Sequence, residues 1–184
     1  MALKRMTIDG YGQLELNQVA FPRDGRVEAQ CALDPTQFTD EPAENGMLLA
    51  VDRVNRLIKL PADDADFPIA LNYTTEHMYD ERANALKDFY LPVGTFYPRL
   101  GFPSVGELFT TNCLAYDDED YADDAAVKTA LEAIDTTAIY GQPCAIGAIQ
   151  LTDTKPTTSV ALKVVEYTTM PDGTFGVKFQ VIAA

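Results

Sequence analysis

Six carboxylates fall within eight positions after Tyr116: Asp117, Asp118, Glu119, Asp120, Asp123 and Asp124. Acids at this density can ligate calcium, can supply the acid–base pair that cleaves a glycosidic bond, or can simply hold water. A calcium loop of the EF-hand type needs acids at alternate positions, a glycine at the sixth and a glutamate at the twelfth. Counted from Asp118, the third position is Asp120, but the fifth is Ala122 and the sixth is Asp123, and no other register improves the match. The stretch therefore reads as solvated surface running into a helix. Weak cation binding across 117–124 stays open, as does carboxylate-dependent hydrolysis of a polysaccharide, because counting acids cannot exclude a pair at the right separation.

Other chemistries find fewer residues. His77 is the only histidine and sits in a polar run, so a zinc site built on it would need scattered thiols to converge. Cys31, Cys113 and Cys144 fit no CxxC spacing and lie among small or apolar neighbours, which marks them as buried free thiols. Ser104 and Ser159 are the only serines, and neither lies in a GxSxG elbow. Gly10 and Gly12 lack the third glycine and following helix of a dinucleotide fingerprint. Without tryptophan there is no indole platform for sugars or bases, and Tyr11, Tyr73, Tyr97 and Tyr140 are candidates for protein contacts instead. The expectation is a chain with no catalytic residues, no cofactor and no metal.

Charge narrows the partners. The chain of 184 residues has 28 acidic and 14 basic side chains, a net charge of -14 that repels nucleic acid and anionic lipid. Residues 1–30 are an exception: Lys4, Arg5, Arg23 and Arg26 balance Asp9, Glu15, Asp24 and Glu28. The odd cysteine count, with no signal peptide and no apolar run of roughly 18 residues, implies synthesis in a reducing cytoplasm and no membrane span.

These residues need a scaffold, and the turn signals describe one rich in strands. "FPRDG" and "MPDG" each set a proline corner before a glycine that accepts a left-handed conformation. They predict hairpins over residues 13–33, with a bulge before Phe21, and over residues 160–181. Further strands are expected in "MLLAV", "RLIKL", "FPIALNY", "GTFYPRL", "GELFTTN" and "AIGAIQL". Ala126, Val127, Ala130, Leu131 and Ile134 recur at helical spacing, with Asp123 or Asp124 as the cap, and a weaker helix aligns Tyr79, Ala83, Leu86 and Tyr90. The expected fold is mainly β, mixed α+β: an antiparallel barrel or sandwich with one or two short helices. Residues 1–33 form an N-terminal arm and hairpin, 34–46 a linking loop and 47–184 a β-rich body, one domain overall.

The runs "ENGMLLAVDRVNRLIKLP", "PVGTFYPRLGFPSVGELFTTN" and "VVEYTTMPDGTFGVKFQVI" resemble small virion structural proteins of tailed bacteriophages, nearest to capsid decoration or auxiliary head proteins. The resemblance implies a non-enzymatic protein that cements the major capsid lattice through protein–protein contacts, located in the virion after synthesis in a host bacterium. A head–tail connector or tail component is the alternative within the virion, and a homo-oligomer stays open. The resemblance carries no functional residue across. The neutral tip "MALKRM" instead suggests the partner interface, with Leu3, Lys4, Arg5 and Met6 on a free arm.

Overall fold

A computed structural model describes residues 2–61, 67–76, 78, 83–94 and 97–184. The fold is mainly β, a sandwich of two mixed sheets. In chain order the strands are β1 (Leu3–Arg5), β2 (Leu14–Gln18), β3 (Val27–Glu28), β4 (Ala32–Leu33), β5 (Leu48–Asp52), β6 (Leu57–Lys59), β7 (Ile69–Asn72), β8 (Leu100–Gly101), β9 (Leu108–Thr111), β10 (Leu114–Asp117), β11 (Tyr140–Pro143), β12 (Ile149–Thr152), β13 (Ala161–Thr169) and β14 (Phe175–Ala183). Helix α1 spans Asp124–Glu132. The larger sheet has eight strands in the order β1-β10-β12-β11-β13-β14-β9-β2, and the smaller has six in the order β3-β8-β7-β5-β6-β4. Two pairs, β10 with β12 and β4 with β6, run parallel, and among the described residues neither sheet closes into a barrel.

The C-terminal hairpin forms as its turn dictates. Asp172 accepts hydrogen bonds from the Thr174 N–H (3.0 Å) and hydroxyl (2.7 Å), and Gly173, at φ 87°, lets the chain reverse between β13 and β14. Phe179 and Val181 then face the core, where Phe179 meets Phe109 of β9 with ring centroids 5.8 Å apart. Each such ring contributes roughly 1.5–3 kcal/mol by leaving water.

The N-terminal turn behaves differently. It is a real turn, with Gly25 at φ 70° and an Arg26 N–H bond to the Phe21 carbonyl at 3.0 Å, and the expected bulge appears between Glu15 and Gln18. Yet residues 13–33 are not a hairpin: β2 pairs with β9 in the larger sheet and β3 with β8 in the smaller. Phe21 explains the divergence. It is fully buried at the crossing, tilted against Tyr73 with ring centroids 5.0 Å apart and pressed against Gly101, so the chain seats an aromatic ring between the sheets instead of pairing with itself.

Two apolar cores result. Leu48 and Ala50 of β5 join Leu114 and Tyr116 of β10 in one, while Leu49 and Val51 join Cys113 and Ala115 in the other. Both strands are thus buried on both faces. Residues 34–46 are not a detached loop: Phe38, Ala43 and Glu44 are buried, and Ala43 bridges to Leu91. Val127 and Leu131 anchor α1, with Ala130 and Ile134 packed at the margin. The weaker helix is absent where it is described. A single 3-10 turn, Leu86–Asp88, stands there, and Tyr79 lies outside the described residues.

Candidate functional site

The residues at the N-terminus do not form a free arm. Leu3, Lys4 and Arg5 pair antiparallel with Asp117, Tyr116 and Ala115, which makes β1 the outer strand of the larger sheet. Met6 is fully buried in the core beside Leu114 and Tyr116. Arg5 makes a two-pronged pair with Glu44, at 3.0 and 2.6 Å, and Glu44 also accepts the Gly12 N–H. Of the proposed contact residues only Lys4 is exposed, with Leu3 half-buried. Lys4 is also the only one of the four N-terminal cations without an ion pair among the described residues, since Arg23 and Arg26 hold Asp24 and Arg26 also holds Glu107. The Met6 N–H donates to the Leu114 carbonyl at 2.9 Å and the Ala2 carbonyl accepts from the Asp118 N–H at 3.3 Å, so alternation turns the backbone groups of Leu3 and Arg5 to the open side.

Much of the acidic stretch turns out to hold that strand. Asp118 accepts the Ala2 N–H at 3.0 Å and Asp124 accepts the Thr7 N–H at 2.9 Å, which clamps β1 at both ends. The Ala2 bond, with further help from nearby cations, keeps the Asp118 carboxyl below its usual range. Burial opposes the charge of Asp124, but donors from Thr7 and Tyr116 outweigh it and its pKa is lowered too. Asp123 caps α1 through the Ala126 N–H at 2.8 Å, and Asp117 accepts the Glu119 N–H at 3.1 Å. Asp120 moves the other way, raised by burial and then by the charges of Asp153, Asp117 and Glu119. No group of three or more metal-ligating side chains converges among the described residues.

The remaining candidates are dispersed. His77 lies outside the described residues. All three cysteines are buried free thiols, and burial pushes Cys113 up to about 12 and Cys144 up to about 11, far from the thiolate range of a nucleophile. The backbone N–H of Ser104 is taken by Glu107 at 2.8 Å in a turn before β9. Gly10, at φ 82°, lets the chain pass against the Lys87 carbonyl, where a Cβ would collide. Tyr73 is core and not a contact residue; Tyr11 leans on Tyr90 with ring centroids 4.6 Å apart, while Tyr97 is exposed. Sequence reasoning missed Glu44, which lies in the stretch read as a loop and whose partner Arg5 is 39 positions away in the segment read as an arm; no local pattern signals such a pairing.

No protein-family model, curated protein or solved structure matches the chain.

Proposed function

We propose that this chain is a non-enzymatic virion structural protein of a tailed bacteriophage, a capsid decoration protein that binds the major capsid lattice through the open edge of β1. The virion assignment rests on the sequence resemblance. The observation that supports an attachment role is the outer position of β1, where an exposed Lys4, without an ion pair among the described residues, stands beside outward backbone groups at Leu3 and Arg5. A sheet edge of this kind binds by strand addition, with main-chain bonds giving affinity and flanking side chains giving selectivity. Lys4 supplies a cation for acidic groups of the shell that the rest of this acidic protein would repel. Co-sedimentation with mature capsids lacking the protein tests the reading. The full chain pellets with capsids, and Lys4→Glu, an exposed change that leaves the core intact, weakens binding severalfold. Failure of the full chain to pellet at any salt concentration would remove the decoration role.

A further inference from the structure

We propose that the groove between the C-terminal end of α1 and the outer half of β13 binds an extended, basic segment of a partner protein by strand addition. β13 is nine residues long, but on one side β11 pairs only with Leu162 and Lys163. The last bond on that side runs from the Val164 N–H to the Ile139 carbonyl at 2.9 Å. Beyond it, the backbone of residues 165–169 has β14 as its sole strand neighbour among the described residues. Five residues of unpaired edge, about 17 Å, match a short extended peptide.

The side chains around this edge define what fits. A bulge at Val165 lets consecutive residues of β13 face α1, and Ile134, Val165 and Tyr167 line a groove of about 350 Å³. Val165 stays 46% exposed. Neither lysine nor proline interrupts residues 165–169, although those residues are the usual guards of an edge. The rim is acidic. Lys178 neutralises Glu166, whereas Glu132 and Asp135 have no ion pair among the described residues. An occupant with an apolar side chain between lysines or arginines satisfies floor, rim and edge together. A second copy of this chain does not, because two bodies of charge -14 repel. The proposal is independent of the virion reading, since it concerns a different edge of the sheet.

A short peptide of alternating lysine and valine is the probe, with its glutamate–valine counterpart as control. Hydrogen exchange followed by NMR on the full chain is expected to show slowed amides within residues 165–169 on adding the lysine peptide, and no change with the control. The exposed double change Glu132→Lys/Asp135→Lys preserves the spectrum of the fold and weakens the peptide by about tenfold. Protection elsewhere, no protection, or affinity unmoved by the double change would overturn the proposal. So would sedimentation showing a dimer that Val165→Lys dissolves, since the groove would then belong to a second copy.

Discussion

Met6 shows what a single side chain decides here. Beside Lys4 and Arg5 in the tip of the chain it reads as a flexible contact residue, yet it fills the core under β10. Met6→Ala is expected to cost about 2–5 kcal/mol in chemical denaturation, and a loss under about 0.5 kcal/mol would contradict its placement. The cysteines were legible because three scattered thiols in apolar contexts admit few roles; Met6 was not, because burial depends on a partner strand more than a hundred positions away. The acids clamping β1 give a pH signature. Asp118 and Asp124 have folded pKa values below their ordinary values, so their stabilisation is present above about pH 4 and fades as pH falls through the lower folded values. The Asp118→Asn/Asp124→Asn variant should melt below the wild type at pH 7, with the gap closing as pH falls through the lowered folded values. Calorimetry with calcium should find no site tighter than about 10 μM, because the acids are engaged by backbone amides and lack the loop geometry of a sensor site.

Among elements, the two glycine turns separate what a local signal can and cannot specify. Both "PRDG" and "PDG" turn where expected, with glycine at positive φ. Only the second joins paired strands: β13 and β14, nine residues each, pair antiparallel from the turn through Glu166 and Lys178, and beyond the bulge at Val165 as far as Ala161 and Ala183. In the first, buried Phe21 draws the chain across to the smaller sheet. Gly173→Val tests the true hairpin. Among the described residues nothing lies within 4 Å of an added Cβ there, so the cost of about 1–3 kcal/mol comes from backbone strain and should appear as a lower Tm, while an unchanged Tm would move the turn. The helix was readable from its stripe and cap, and Asp123→Ala should cost about 0.5–2 kcal/mol in the same assay.

For the molecule as a whole, a β-rich sandwich could be read from the spacing of turns and strands, but strand order could not. β10 is buried on both faces and so shows no alternation, and β11 carries glycine and proline, so neither stood out although both lie inside the larger sheet. With β1 part of the sheet, removing residues 2–8 takes away Met6 and leaves Glu44 a buried, unpaired acid. Those losses are comparable with the entire stability of a typical domain, about 5–15 kcal/mol. The truncated chain should therefore unfold well below the wild-type Tm; a matching melt would return residues 2–8 to the status of an arm. The place of β14 between β13 and β9 has a consequence during synthesis. Among the described residues β9 is the only strand that pairs with β2, and β9 in turn rests on β14, so the early strands leave the ribosome long before their sheet can assemble. At about 5–20 residues per second, β2 waits several seconds or more with its apolar face in water, which makes the nascent protein a natural client for holding chaperones.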